Sequence, residues 1–123
     1  MKNLTIIGER INPGFKSTKG YFDARDVSSL QALAVEQESK GARYLNINLG
    51  DLAVSEPDFL EAVLNGVQDV TALPLSIDYP DLAVQKFAFN LYRQAEKPII
   101  NSVSELRYEM LEALNIRPAR VLL

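Results

Sequence analysis

Tyr44-Leu45-Asn46-Ile47-Asn48-Leu49 is the stretch on which the fold turns. Its alternation places Leu45, Ile47 and Leu49 on one side of a strand and Asn46 and Asn48 on the other. Gly50 and Asp51 close it. On its N-terminal side, Val27, Leu30 and Ala34 recur at helical spacing with Leu33 beside them, which predicts a helix over residues 26–40. Gly41 stands where a left-handed helix terminator belongs. On its C-terminal side, Ser55-Glu56-Pro57-Asp58 predicts a helix start, with Ser55 as the hydroxyl N-cap and Pro57 in the first turn. Leu60, Val63, Leu64 and Val67 continue that helix as an apolar stripe. A short strand between two amphipathic helices is the repeating unit of a parallel, helix-covered sheet.

The same unit recurs outward in both directions. Leu4 to Ile7 is a β-branched run stopped by Gly8, and residues 13–25, with glycines, a proline and no sustained period, predict a loop. Leu73 to Ile77 is a third strand ending at Asp78-Tyr79-Pro80. A helix follows with Val84, Phe87, Ala88 and Leu91 on one face; Phe87 belongs to this core stripe, and Phe89 is left for an exposed or neighbouring-helix contact. Pro98-Ile99-Ile100 is a fourth strand ending at Asn101-Ser102. Ser102 and Glu105 fit a capping box for a further helix lined by Leu106, Met110 and Leu114. Pro118 breaks that pattern, and Val121-Leu122-Leu123 begins a fifth apolar run. The order βαβαβαβα(β) predicts one α/β domain built on a parallel sheet.

Composition narrows the chemistry. The 123 residues are 47% apolar and 24% charged, which suits a globular domain with a real core. Thirteen basic against 16 acidic residues, a net charge of -3, offer no broad positive field for nucleic acid or anionic membrane. There is no cysteine and no histidine, which excludes disulfides, thiolate nucleophiles, imidazole ligands and the Ser-His-Asp and Cys-His triads. No apolar run approaches the roughly 20 residues of a bilayer span, and the short run after Met1-Lys2-Asn3 is no secretory core. Cytoplasmic residence is the default expectation.

Polar residues gather where the strands finish. Glu9, Arg10 and Asn12 follow the first, Asn46 and Asn48 lie in or near the end of the second, Asp78 follows the third, and Asn101 and Ser102 follow the fourth. Parallel α/β folds bind ligands beyond the carboxyl ends of their strands. The alternative is ordinary turn and cap chemistry, in which Asp, Asn and Ser are common. Asp78 and Asn101 are the sharpest pair. A carboxylate accepts two parallel N–H bonds and a carboxamide both donates and accepts, which suits a flat heterocycle with an amidine-like edge, a pterin or a purine. The carboxylates are spread singly, so no metal site is expected. Lys16, Lys19 and Arg25 could meet an anionic tail or form a solvated loop.

At these residues the chain resembles a known family. Ile6-Ile7-Gly8-Glu9-Arg10-Ile11-Asn12 resembles the opening of the pterin-binding methyltransferases, which move a methyl group from methyltetrahydrofolate to a corrinoid protein and are related to the folate module of cobalamin-dependent methionine synthase. Gly41 to Gly50 resembles the second-strand motif, Leu75-Ser76-Ile77-Asp78 the third and Pro98-Ile99-Ile100-Asn101-Ser102 the fourth. The family usually carries Asp where this chain has Asn46.

The resemblance implies a (β/α)₈ barrel, with Asp78 and Asn101 as pterin contacts and Asn12, Asn48, Asn46, Glu9 and Ser102 around the same pocket. It implies a reduced folate as substrate and cobalamin carried by a partner corrinoid protein. Such barrels take about 250 residues, so residues 1–123 are expected to be the N-terminal half of one, truncated after about four and a half (β/α) units and inactive alone. The alternatives are a dihydropteroate synthase-like enzyme, whose opening motif differs, and a non-catalytic pterin-binding half-barrel that completes its sheet as a homodimer.

Overall fold

The computed structural model describes residues 4–102 and 120–122. Strands β1 (Ile7–Ile11), β2 (Tyr44–Ile47), β3 (Leu75–Asp78), β4 (Ile99–Asn101) and β5 (Arg120–Leu122) form one sheet in the order β1-β2-β3-β4-β5. Every neighbouring pair is parallel. Between them run α1 (Lys16–Asp23), α2 (Val27–Ser39), the single turn α3 (Leu52–Ser55), α4 (Pro57–Val70) and α5 (Leu82–Leu91). Right-handed crossovers that all step the same way put successive helices on one face of a sheet. Accordingly α2 packs on α4 and α4 on α5. The helix expected around Leu106, Met110 and Leu114, its Ser102–Glu105 cap, and the coverage of the side chains in the fifth run lie outside the described residues.

Register divides the sheet into two chemically different faces, because residues side by side in a parallel sheet point the same way. Ile11, Ile47, Ile77 and Ile100 form one row through the pairings Ile11–Ile47 and Ile47–Ile77–Ile100, and Leu45 pairs with Leu75. All six are buried and belong to the core shared with the helices, with Leu30, Leu64, Val67, Ala88 and Phe89. The other face carries Asn46 beside Ser76, and Asp78 beside Asn101.

Four local expectations need correction. The first strand lies later than the apolar run suggested. Leu4, Ile6 and Ile7 are exposed, and the buried core residue is Ile11. Gly8 does not stop the strand; it lies inside it, at the start of an irregularity that shifts the register before Ile11. The cause is a close approach: a Cβ at Gly8 would stand 2.5 Å from Oε1 of Gln37 on α2. That oxygen accepts from the Arg10 amide at 2.9 Å, tying α2 to β1.

Residues 13–25 contain α1, which the expected loop omitted. Thr18 and Phe22, one turn apart, are its buried positions, too few to read as a period. Arg25, in left-handed backbone at φ 52°, ends this segment. Its guanidinium grips the Glu56 carboxylate with two nitrogens, lies 5.6 Å over the Phe59 ring and donates to the Phe22 carbonyl. Those contacts hold a conformation that a non-glycine residue rarely adopts. They also commit Arg25 to the fold, and Lys19 pairs with Asp23 at 2.8 Å.

Ser55 is not the N-cap of the long helix. It ends α3, its hydroxyl donating to the Asp51 carbonyl, and Glu56 takes the cap position before Pro57. The two phenylalanines of α5 exchange roles as well. Phe89 is fully buried, while Phe87 is only partly buried against the core. Gly41 behaves as expected, at φ 102° after α2.

Two measurements check this packing. Gly8→Ala forces Gln37 off the Arg10 amide and should cost about 1–3 kcal/mol in urea unfolding, through overpacking and an orphaned donor. Glu56 is held below its ordinary 4.5 by its hydrogen bond from Arg25, and Asp26 below 3.8 by the Ser29 hydroxyl and amide. A carboxylate with a lowered folded value contributes stability that is complete above its ordinary value and lost as pH falls through the folded one. The thermal midpoint should therefore drop between about pH 5 and about pH 3, and Glu56→Gln should make that drop smaller.

Candidate functional site

The sheet face turned away from the helices gathers its polar side chains at the carboxyl ends of β2, β3 and β4. Asn46 is almost fully buried on β2, at 2% exposure. Its Nδ2 donates to Asp78 Oδ2 at 2.8 Å, and its Oδ1 accepts from Asn101 Nδ2 at 3.3 Å. A buried carboxamide must satisfy a donor and an acceptor at once, and here Asp78 on β3 and Asn101 on β4, one strand further along the sheet, supply the two partners. Asn48, two residues on and therefore on the same side, adds a second amide donor to Asp78 Oδ2 at 3.3 Å. Its own Oδ1 accepts from the Gly50 amide at 2.8 Å, and its backbone amide donates to the Ile11 carbonyl at 3.1 Å.

Asp78 and Asn101 pair in register, and the Tyr79 amide donates to the Asn101 carbonyl at 2.7 Å, so the two strand ends are locked together. Both side chains remain partly exposed. Among the described residues Asp78 Oδ2 receives two hydrogen bonds and Asp78 Oδ1 receives none. The cluster thus offers a ligand one oriented carboxylate oxygen beside a carboxamide. That arrangement can take two neighbouring N–H groups of a planar heterocycle.

The remaining expected residues stand outside this network. Asn12 Oδ1 accepts from the Gly14 amide at 2.8 Å, and the Asn12 carbonyl accepts from the Thr18 hydroxyl, which builds the turn after β1. Glu9 is exposed on β1 and Ser102 is partly exposed after β4; neither bonds to Asp78, Asn46 or Asn101 among the described residues. Two residues went unnoticed in the sequence. Ser76 is buried beside Asn46, and its signal was a hydroxyl inside the apolar run Leu73–Ile77. Gln85 is buried on α5 directly behind the strand ends, and its signal was an amide on an apolar helix face.

A separate cleft of about 220 Å³ opens between α3, the start of α4 and the start of α5, lined by Ala53, Val54, Pro57, Asp81, Ala83, Val84 and Phe87. Its one carboxylate, Asp81, accepts from the Ala83 amide at 2.7 Å as the N-cap of α5. The cleft is otherwise lined by apolar side chains. Among the described residues no three His, Cys, Asp or Glu side chains group as metal ligands, and no helix is long and apolar enough to cross a membrane.

No family model matches the chain. A methylcorrinoid:tetrahydrofolate methyltransferase of Eubacterium limosum is 31% identical to it over 102 residues, covering 82% of this chain and 36% of that protein. The match therefore reaches little more than a third of the relative's length, and the relationship it supports is a partial one.

The network yields its own test. Asn46→Asp would put a second carboxylate where Nδ2 now stands 2.8 Å from Asp78 Oδ2. Two such carboxylates share one proton, so the folded variant holds a proton that the unfolded chain has released. Its stability should fall as pH rises, on the order of 2 kcal/mol at neutral pH, a trend that disappears in the Asn46→Asp, Asp78→Asn double variant. Thermal unfolding at about pH 5 and about pH 8 reads it.

Proposed function

We propose that this chain carries part of the pterin pocket of an enzyme that moves a methyl group between a reduced folate and the cobalt of a corrinoid protein. The observation that carries the reading is the relay Asn101–Asn46–Asp78, which leaves Asp78 Oδ1 without a partner among the described residues, beside the partly exposed carboxamide of Asn101. A pterin presents an amidine-like edge of ring N–H and exocyclic amine, and a carboxylate beside an amide meets that edge in one plane. The partial likeness to a methylcorrinoid:tetrahydrofolate methyltransferase supports the same chemistry. The unreversed parallel strand order supports reading residues 1–123 as the N-terminal (β/α) units of a (β/α)₈ barrel, since a doubly wound sheet reverses its order at a switch point.

In this reading Asp78 and Asn101 hold and orient the ring, Asn46 and Asn48 fix Asp78, and Glu9, Asn12 and Ser102 lie on the loops around the mouth. Methyl transfer breaks the N5–methyl bond, and the methyl passes to a cobalt centre that supplies the bonding electron pair. N5 keeps its own pair and takes a proton. The relative's name has the methylcorrinoid as donor, the reverse of the direction implied by the opening motif. One transition state serves both directions, so a pocket that binds the folate in it serves either. This chain's contribution is to hold the ring still while charge at N5 changes. The corrinoid belongs to a partner protein.

Calorimetric titration of the chain restored to full barrel length with 5-methyltetrahydrofolate tests the reading. Asp78→Ala should weaken binding by about 2–3 kcal/mol, because a charge-assisted hydrogen bond is lost in a sheltered site. Unchanged affinity with an intact circular-dichroism spectrum removes Asp78 from the site, and the absence of folate binding by the unsubstituted protein removes the reading itself.

A further inference from the structure

Gln85 occupies a buried helix position of the kind hydrocarbon side chains usually fill. It lies on the buried face of α5 with Leu82, Ala88 and Phe89, at 0% exposure. Its Nε2 faces three backbone carbonyls: Tyr79 at 2.7 Å, Ile77 at 2.9 Å and Asn101 at 3.4 Å. Three converging acceptors fix which end of the amide points there, since its oxygen would meet only other oxygens. The opposite atom, Oε1, is buried and has no donor among the described residues. Leucine or methionine would fill the volume and remove the orphaned Oε1, but would withdraw the Nε2 donor from the Tyr79 and Ile77 carbonyls. Core filling therefore does not account for Gln85.

The carbonyls it gathers do. Those of Ile77 and Tyr79 bracket Asp78 in the chain, and the third belongs to Asn101. Fixing the peptide groups on both sides of a residue fixes the direction of its Cα–Cβ bond. We infer that Gln85 is a positioning residue, which aims the Asp78 and Asn101 side chains together at Asn46 by clamping the backbone of β3 and β4 from behind. What the aimed pair binds rests on the folate reading above; the aiming itself does not. Gln68 provides the contrast. It is also buried, on α4, with Nε2 donating to the Leu64 and Leu91 carbonyls at 3.1 Å each and Oε1 accepting from the Arg93 amide at 2.7 Å. It is fully satisfied and touches neither Asp78 nor Asn101.

The test compares Gln85→Met with Gln68→Met, both of which remove a buried amide. Heteronuclear NMR of the side-chain amides of Asn46 and Asn101 reads the relay, and hydrogen exchange at the Tyr79 amide reads the clamp. Gln85→Met should shift both side-chain signals and speed Tyr79 exchange about tenfold, while Gln68→Met lowers stability and leaves them in place. In titrations with 5-methyltetrahydrofolate, Gln85→Met should cost about tenfold in affinity alone and clearly less in the Asp78→Ala background, where Asn101 alone is left to be aimed. Relay signals unmoved by Gln85→Met, or moved equally by Gln68→Met, overturn the proposal. If Gln85→Met fails to fold, Gln85→Asn withdraws the donor by one methylene and is read in the same way. If the unsubstituted protein binds no folate, the functional reading falls and the NMR comparison alone decides the role of Gln85.

Discussion

A one-residue slip of any strand in a parallel sheet exchanges its two faces, and this molecule is built on holding that register. The isoleucines 11, 47, 77 and 100 stand in one row under the helices. Their burial sets the register by the hydrophobic effect, at roughly 1.5–3 kcal/mol for each side chain removed from water. Asn46, Ser76, Asp78 and Asn101 are then turned to the opposite face without any choice of their own. The polar cluster is thus a by-product of apolar packing, and its positions are as firmly set as the core.

The parts of this plan that were legible in the sequence are those written in repetition. Helices α2, α4 and α5 declared themselves by apolar residues at helical spacing, and β2 to β4 by short apolar or alternating runs with a carboxamide or carboxylate at the end. Asp78 and Asn101 could be picked out because each follows directly on such a run. What stayed hidden depends on partners distant in the chain. Gly8 reads as a terminator until Gln37, far along the sequence, is seen to occupy the space its Cβ would need. Helix α1 buries only Thr18 and Phe22, and a pattern of two carries no period. Phe87 and Phe89 have equal hydrophobicity, so only the packing of α5 decides which faces the core. Asn12 was grouped with the strand-end cluster by its position after β1, yet its side chain is taken up by the turn it builds.

Amides do much of the long-range joining. Gln37 ties α2 to β1, Gln68 ties α4 to the segment after α5, and Gln85 ties α5 to β3 and β4. A neutral amide can cross between helix and strand through a dry layer where a charge would suffer a severe desolvation cost. The same logic surrounds Asp78 with Asn46 and Asn48, so that two neutral donors hold its carboxylate.

That arrangement has a kinetic side. Asp78 Oδ2 is gripped by two amides, so the carboxylate cannot swing, and its other oxygen waits in a fixed direction. A partner arriving at such a group meets it already facing the right way. Little rotamer freedom is left to lose on contact, and encounter requires no local rearrangement. In the folate reading proposed above, ligands that differ only along the edge facing Asp78 arrive at similar rates and differ in how long they stay.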